Sequence, residues 1–407
     1  MNSLSMPGLA FAAVGANNPA MRWMQFGLPA ALLLLGTAPS AELPRDIFVR
    51  DQVIGSQPGI KRLMADLLLG RPRAASALEK ALARGAGVRD DRLDAYLQLC
   101  GFYFREQLYA SGLRSCLAAE AIKKGAAANM IDLHRALQQV GRVRWSSGAV
   151  RVSLTGGQAT RVRHAGGTTE ALIDTGAEIA IVSNRVAVLL GARPLGAQLA
   201  IGTTTTPVDG GLVLIDRVAI GNATLSNLTA FVLPDAQAKY AELDLVIPLS
   251  ALLPFGRIAY VDHGAMLLLG TAAPPPGPAR APLYWDESGV GFAAQFAGGR
   301  RGVHFDTGSK RTWLFPAALP VLSAAERATV RPHKRTIGGV GGERVEDASI
   351  ARNVRMGIAG QGWHFDEIEV AAKDENGEAA RVGTGLFGRF STVVLDFRRM
   401  QMSVSDR

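Results

Sequence analysis

The chain has 407 residues, enough for two or three domains, and its 48% hydrophobic and 19% charged residues are typical of a globular protein with a core. The formal net charge is +9, but the arginines are scattered and no recognisable nucleic-acid-binding motif is present, which argues against a nucleic-acid partner. The 46 glycines and the aromatic content of 6% favour short strands and many turns over part of the chain.

The N-terminus has the pattern of an export signal. Arg22 precedes an apolar run over residues 26–35, and small residues follow up to Ala41. A membrane anchor is the alternative, but a spanning helix needs about 20 apolar residues. We therefore predict a signal peptide over residues 1–41. An alternative start of translation at Met21, which would exclude residues 1–20, stays open. The expected destination is the periplasm or the exterior, with no stable membrane span after cleavage.

Residues 42–145 are predicted to form a small α-helical domain. They are rich in Leu, Ala and Arg, and apolar residues such as Leu63 and Leu67 recur at helical spacing. The stretch 96–122 weakly resembles a tetratricopeptide-type helix pair. Much of the positive charge lies in this domain. Three interpretations stay open: a solvated surface, a surface that docks a protein partner, or a pro-segment that covers an acidic site.

The two cysteines lie in this predicted domain. Cys100 and Cys116 fall in two helical stretches. We predict a turn between them at residues 109–112. An antiparallel helix pair would bring the thiols together, and a disulfide suits an oxidising compartment. Two buried thiols that pack as small apolar side chains are an equally good interpretation.

Beyond residue 145 the pattern changes to short alternating strands and glycine turns, for example over residues 211–220. A Pro-rich linker at 273–280 divides this region. The sequence therefore predicts two β segments, over residues 146–272 and 281–407.

One short motif occurs in both β segments. Residues 171–177 read Ala-Leu-Ile-Asp-Thr-Gly-Ala, and residues 302–309 read Gly-Val-His-Phe-Asp-Thr-Gly-Ser. Each copy is an apolar run that ends in Asp-Thr-Gly and a small residue. We expect Asp174 and Asp306 to face each other across a pseudo-twofold axis.

The similarity between the segments continues after the motif. Each has a Gly/Thr-rich hairpin, then an apolar segment, then a hydrophobic strand with one Asp. In chain order the matched segments are 200–204 with 336–342, 244–248 with 385–389, and 258–262 with 393–397. We interpret the two segments as one duplicated lobe.

Other chemistries fit the sequence less well. A phosphoaspartate dehalogenase would carry a second Asp two residues after the first, and that position is Gly in both copies. The glycine run at 338–342 lacks the Gly-Lys-Ser/Thr ending of a phosphate loop. The six histidines are scattered without a His-Glu-x-x-His pattern, so we predict neither a metal site nor an organic cofactor.

The duplicated region resembles the aspartic peptidases of the pepsin and retropepsin type. The order of apolar strand, Asp-Thr-Gly, glycine-rich flap and apolar-apolar-Gly carries the resemblance, and the second flap and residues 386–389 are most similar to retropepsins. Retropepsins are homodimers of one lobe, whereas this chain would carry both. The resemblance implies a mainly β fold, a bilobal acid-protease β-barrel fold preceded by the helical domain.

The resemblance also implies roles for individual residues. Two carboxyl groups about 3 Å apart share one proton and activate a water, as is usual for this class of enzyme. The flaps close over an extended peptide. The residues with implied roles are Asp174 and Asp306 as the dyad, Thr175, Gly176, Thr307 and Gly308 as its support, and Gly202, Gly338, Gly339 and Gly341 in the flaps.

Four residues differ from the family pattern or differ between the two lobes. Pro248 stands where the family has Gly. Glu178 and Lys310 occupy a position that is usually Asp in retropepsins, so Arg389 would face Lys310 and is expected to pair with another acid. His304 lies two residues before the second motif Asp and either lines a substrate pocket or is structural.

We predict an exported single-chain aspartic endopeptidase that hydrolyses polypeptides with a water activated by Asp174 and Asp306. The alternative is a catalytically inactive or latent peptide-binding protein on the same fold. A third interpretation places the function in the helical domain and makes the lobes a scaffold.

Overall fold

A computed structural model describes residues 59–71, 73–201, 208–236, 244–285, 289–339, 342–373 and 377–406. The predicted signal peptide, the start of the predicted helical domain, Gly202 and Gly341 lie outside these ranges. Gly342 is described only by its backbone.

Helices dominate the N-terminal part, and short helices recur in the lobes. The helices are α1 (Ile60–Leu68), α2 (Ala74–Ala83), α3 (Arg89–Arg105), α4 (Tyr109–Ile122), α5 (Ala128–Leu137), α6 (Asn184–Leu189), α7 (Leu249–Leu252), α8 (Ala324–Ala328) and α9 (Gly385–Arg389), with 3₁₀ turns at Leu253–Phe255 and Pro316–Val321. In these ranges no helix combines the length and the apolar character that crossing a bilayer requires.

Helices α3 and α4 form a pair that the Cys100–Cys116 disulfide joins. Acidic residues in the first turn of α3 and Arg105 in its last turn match the helix dipole. The predicted turn at 109–112 is wrong, because α4 already begins at Tyr109. Gly112 lies inside this helix, where a Cβ atom would collide with the buried His134 ring. The glycine therefore serves helix packing rather than a turn.

The rest of the chain is built from strands. They are β1 (Arg144–Trp145), β2 (Ala149–Ser153), β3 (Ala159–His164), β4 (Gly167–Asp174), β5 (Ala180–Ser183), β6 (Arg193–Ile201), β7 (Val208–Ile220), β8 (Ala223–Leu233), β9 (Leu245–Pro248), β10 (Arg257–Val261), β11 (Met266–Gly270), β12 (Arg280–Trp285), β13 (Val290–Phe296), β14 (Gly299–Phe305), β15 (Trp313–Leu314), β16 (Arg331–Gly339), β17 (Gly342–Ile358), β18 (Gln361–Ala371), β19 (Ala380–Val382), β20 (Thr392–Asp396) and β21 (Gln401–Ser405).

Lobe 1 contains a closed six-stranded barrel. Its strands follow the order β4-β3-β7-β8-β5-β9, and β9 returns to pair in parallel with β4. Alternate residues of these strands point inward, so Ile173, Val182, Ile215 and Ile247 fill the barrel. The β6–β7 hairpin extends from this barrel.

Lobe 2 repeats the same barrel. Its order is β14-β13-β17-β18-β15-β19, and β19 again closes in parallel on β14. The β16–β17 hairpin corresponds to the β6–β7 hairpin of lobe 1. The predicted fold class, a mainly β bilobal barrel fold preceded by helices, is confirmed.

A third sheet joins the lobes. It is antiparallel, with the order β2-β11-β10-β20-β21-β12, and its centre is the pairing of β10 with β20. Lobe 1 supplies the first three strands and lobe 2 supplies the last three. The pseudo-twofold axis therefore passes between β10 and β20.

One predicted match between the lobes is wrong. The sequence pairs residues 385–389 with residues 244–248, because both are apolar segments near the end of a lobe. In the structure, β9 of lobe 1 corresponds to β19 of lobe 2, since each lies parallel to the strand that leads to the motif Asp. Residues 385–389 form α9, which corresponds to α7.

The helical region packs mainly against lobe 1. Phe104, Leu133 and Leu137 form one buried cluster with the lobe 1 side chains Leu199, Val208, Leu212, Phe231 and Leu233. The Gln107 side chain also donates to the carbonyl of Ser250, at 3.0 Å. The end of α1 reaches lobe 2, where Leu69 packs against Tyr284 and Ala293.

Candidate active site

Each motif aspartate stands at the end of a barrel strand. Asp174 is the last residue of β4, and Asp306 directly follows β14. The chain then turns, and a main-chain N–H reaches back to each carboxylate. Gly176 donates to Asp174 Oδ1 at 2.8 Å, and Gly308 donates to Asp306 Oδ1 at 2.9 Å. The two turns are therefore equivalent.

The two carboxyl groups meet across the axis. A Cβ atom on Gly176 would lie 2.7 Å from the Asp306 carboxyl carbon, and a Cβ atom on Gly308 would collide with the Asp174 carboxylate. Each carboxyl group thus packs on the glycine of the other lobe. This close approach requires glycine at both positions.

The threonines of the motif join the lobes. Thr175 N donates to Thr307 Oγ1 at 3.0 Å, and Thr307 N donates to Thr175 Oγ1 at 2.9 Å. Each hydroxyl also donates to a carbonyl of the opposite lobe, at 2.9 Å for Phe305 and 2.8 Å for Ile173. Both threonines are fully buried, so these four bonds fix the two aspartates relative to each other.

The pKa of Asp174 is raised to about 7. Burial is the largest cause, followed by the negative charge of Asp306 and a side-chain hydrogen bond with it; the Gly176 N–H and Arg381 oppose the shift. The shift favours the protonated form of this carboxyl group. A single proton shared by two carboxyl groups is the protonation state that acid–base catalysis by such a pair needs.

An arginine that sequence reasoning missed contacts the pair. Arg381 Nη1 donates to Asp306 Oδ2 at 3.1 Å, and the Arg381 side chain is 13% exposed. The positive charge of Arg381 therefore lies next to the carboxyl pair, on the Asp306 side. Arg381 lies on β19, the parallel partner of β14, whereas the sequence pattern matched residues 385–389 to residues 244–248 of lobe 1.

A row of charged side chains continues from Arg381 to the lobe 2 hairpin. The Trp313 ring lies 5.4 Å from the guanidinium carbon of Arg381 and 5.4 Å from that of Arg335. Arg335 is on β16 and pairs with Glu346 of β17, at 2.7 Å. The hairpin is therefore connected to the carboxyl pair through aromatic and charged contacts.

His304 is only 1% exposed. It lies on β14 between Gly291 and Arg381 of the neighbouring strands. This burial fits the structural interpretation of His304 better than direct contact with a substrate.

The family departures have simple structural consequences. Pro248 is the end of β9, where it is paired with Asp174, and lobe 2 has Gly383 at the equivalent position. Arg389 pairs with Asp406 at 2.8 Å and donates to the Gly362 carbonyl, so the acid expected for it is Asp406. Lys310 is exposed and Glu178 is partly buried.

The predicted flap glycines lie at hairpin tips where they are described. Gly338 and Gly339 end β16, paired with Glu343 and Gly342 of β17. In lobe 1, the last described pair of the hairpin is Ile201 with Val208. Gly202 and Gly341 fall outside the described residues.

Among the described residues, one group of side chains has the spacing of a metal site: Cys100, Cys116 and His134. The disulfide occupies both sulfur atoms, so this group does not offer thiolate ligands. The His134 ring is buried, which lowers its pKa to about 4, and it contacts the Cys100 carbonyl at 3.3 Å.

Comparisons with known proteins found similarities to aspartic proteases. Residues 160–247 match the family model described as aspartyl protease. A solved structure of a retropepsin-like aspartic protease from Rickettsia conorii is similar at 15% identity, with 31% of this chain and 92% of that chain covered and a TM-score of 0.22. No curated protein matches the chain. The predicted resemblance to the aspartic peptidases is confirmed by the family-model match, which covers the part of lobe 1 that carries Asp174.

Proposed function

We propose that the protein is an aspartic endopeptidase in which Asp174 and Asp306 activate a water molecule. The observation that carries the proposal is the reciprocal packing of each carboxyl group on the Asp-Thr-Gly glycine of the other lobe. One carboxyl group alone cannot act as base and acid in the same step, whereas a pair that shares a proton can.

The mechanism follows from the protonation state. The Asp306 carboxylate takes a proton from the water, which attacks the peptide carbonyl carbon. Asp174, with its raised pKa, donates its proton to the carbonyl oxygen, and a tetrahedral intermediate forms without a covalent bond to the enzyme. Asp306 then transfers the proton that it took from the water to the leaving nitrogen, the C–N bond breaks, and Asp174 takes a hydroxyl proton from the intermediate as the product carboxyl group forms.

The substrate is a polypeptide in extended conformation. The hairpins β6–β7 and β16–β17 extend from the two barrels and can cover it from opposite sides. Hairpin strands bind extended chains through main-chain hydrogen bonds, so affinity is general and side-chain subsites set the selectivity. Closure of the hairpins excludes bulk water from the carboxyl pair.

Export of the enzyme is part of the proposal. The signal-like pattern of residues 1–41 supports it, and so does the Cys100–Cys116 disulfide, because disulfides persist in oxidising compartments. Mass spectrometry of the secreted or periplasmic protein would test it through the position of the mature N-terminus, which we expect at Ala41 or Glu42, where the signal-like pattern ends.

A mixed peptide library tests the activity. The full chain is incubated with the library between acidic and neutral pH, and new termini are identified by mass spectrometry. We expect cleavage that stops with Asp174→Asn and with a pepstatin-like transition-state mimic. Unchanged cleavage by the folded Asp174→Asn variant would refute the proposal.

A further inference from the structure

The lobe 1 side of the cleft floor is apolar. Val246 of β9 is paired with Leu172 of β4 on one side and with Ile181 of β5 on the other. Leu172 lies two residues before Asp174, so it shares the strand face that carries the carboxyl group. Val246 is only 1% exposed, so this position in lobe 1 is apolar and buried.

The lobe 2 side has an arginine, a histidine and a tryptophan at the same three positions. Arg381 of β19 replaces the valine, and it is paired with His304 of β14 and with Trp313 of β15. Because the barrels have the same strand order and register here, the difference lies in the side chains alone. The duplicated site is therefore asymmetric next to the scissile bond.

Arg381 lies within reach of a bound peptide. Its Nη1 atom contacts Asp306 Oδ2 at 3.1 Å, and the reacting carbonyl must lie against the same carboxylate. The side chain that flanks the scissile bond on the lobe 2 side consequently approaches the guanidinium. A guanidinium has five N–H donors in a plane and matches a carboxylate in two-point contact.

The guanidinium is held in place by its surroundings. The Trp313 ring supports it, and the same ring contacts Arg335, whose own partner is Glu346. A buried cation needs an anionic partner, and Arg381 forms an ion pair with Asp306. Yet Asp306 is the base of the proposed reaction, and its charge is needed for the water.

We propose that the lobe 2 subsite binds an acidic side chain of the substrate, Glu or Asp, which takes the place of Asp306 as the ion-pair partner of Arg381. This inference rests on the proposed peptidase function. Binding of the acidic side chain frees the Asp306 carboxylate for the water. An acidic residue beside the scissile bond therefore raises kcat as well as lowering KM, and a neutral residue leaves Arg381 on Asp306.

Paired peptide libraries test the subsite. The members of a pair differ only by Glu or Gln, placed immediately before or immediately after the central bond. For the wild-type full chain we expect a kcat/KM about 10- to 100-fold higher for Glu at one of these two positions, the range for a charge-assisted hydrogen bond. A ratio close to 1 at both positions would overturn the inference.

Variants assign the preference to the guanidinium. Arg381→Val introduces the side chain of the equivalent lobe 1 position and should bring the ratio to about 1. Arg381→Lys keeps the charge without the planar fork and should give an intermediate ratio. The matched control is Arg352→Met, which removes an exposed arginine that pairs with Glu367 in the same lobe and should leave the wild-type ratio. A wild-type ratio in Arg381→Val would refute the role of Arg381.

A binding measurement separates this inference from the proposed activity. The same peptide pairs, with a hydroxyethylene group in place of the central bond, are titrated against the wild type and Arg381→Val by calorimetry. Tighter binding of the Glu peptide that depends on Arg381 supports the subsite even if no peptide is cleaved, and in that case only the peptidase proposal fails. Cleavage without any Glu preference in binding or turnover means that the subsite inference alone fails.

Discussion

The two lobes have the same barrel but different outer faces. In lobe 1, Ile181 of β5 is paired with Phe231 of β8, and Phe231 is buried under Phe104 of the helical region. In lobe 2, the equivalent pair is Trp313 with Glu369, and Glu369 forms an ion pair with Arg311 at 3.2 Å. The barrel interiors and the Asp-Thr-Gly turns are alike. The outer faces differ, because lobe 1 packs against the helical region and lobe 2 has an ion pair there.

The difference shows which features the duplicated lobe requires. Both barrels need buried apolar residues, and both turns need Asp, Thr and Gly, because the carboxyl groups and threonines contact each other across the axis. The outer face has no such requirement. Lobe 1 uses it to hold the helical region, and lobe 2 presents charges there and beside Asp306.

The largest effect is expected at the helix contact of lobe 1. Phe104→Ala removes a buried ring from the cluster with Leu199 and Phe231, which should lower the free energy of unfolding by about 3–5 kcal/mol. Urea unfolding measures it. The matched control is Val345→Ala on the lobe 2 hairpin, where the side chain is 65% exposed and the change should stay within about 0.5 kcal/mol. Equal effects of the two changes would mean that the helical region does not stabilise lobe 1.

The disulfide should contribute the next largest effect. Cys100 and Cys116 are 16 residues apart, and closing a loop of that size stabilises a protein by about 3 kcal/mol through the unfolded chain. Reduction of the wild type should lower the urea midpoint accordingly. The double variant Cys100→Ala/Cys116→Ala serves as control, since a reductant should not affect it. An identical midpoint before and after reduction would contradict the expectation.

The glycine contacts across the axis should be visible in catalysis. Gly308→Ala places a methyl group against the Asp174 carboxylate, and displacement by about 1 Å can cost about 100-fold in rate. Peptide cleavage measures the loss, and Gly176→Ala should behave alike because the contact is reciprocal. Gly362→Ala, at a position with open space around it, should retain full activity. A large loss for one motif glycine and none for the other would break the equivalence of the lobes.

The smallest expected effect is a shift of the pH profile. Asp174 must hold a proton to act as the acid, so activity should fall about tenfold for each pH unit above about 7. Arg381 lowers the pKa of Asp174. The Arg381→Val variant should therefore shift the alkaline fall in activity to higher pH. The measurement is kcat against pH for both proteins. If the fall in activity shifted to lower pH in the variant, the expected direction of the Arg381 effect on the pKa of Asp174 would be contradicted.

The sequence was sufficient for the lobes and for the residues that meet at the axis. Asp-Thr-Gly is a local pattern, and two copies with matching strands are enough to predict two barrels whose motif residues approach each other. The sequence was not sufficient for contacts that depend on packing between distant segments. Glycine usually indicates a turn, so the sequence predicted a turn at Gly112. In the structure this glycine lies inside α4, because the His134 ring packs against it and leaves no room for a side chain.

Arg381 was missed for a related reason. Residues 386–388, Leu-Phe-Gly, match the apolar-apolar-Gly pattern better than Arg381-Val382-Gly383 does. Only the parallel pairing of β14 with β19 identifies the true counterpart of β9. A charged residue at that position breaks the apolar pattern, so the feature that makes the site asymmetric also concealed it.

The most direct test of the account is the activity of Asp174→Asn and Asp306→Asn, each alone and mixed in equal amounts. If the two lobes of one chain form one site, each variant loses activity by about 10⁴-fold or more, and the mixture stays inactive because no chain has both carboxyl groups. Near-wild-type cleavage by either folded variant would contradict the shared site. Recovery of activity in the mixture would show that the site forms between two chains rather than within one.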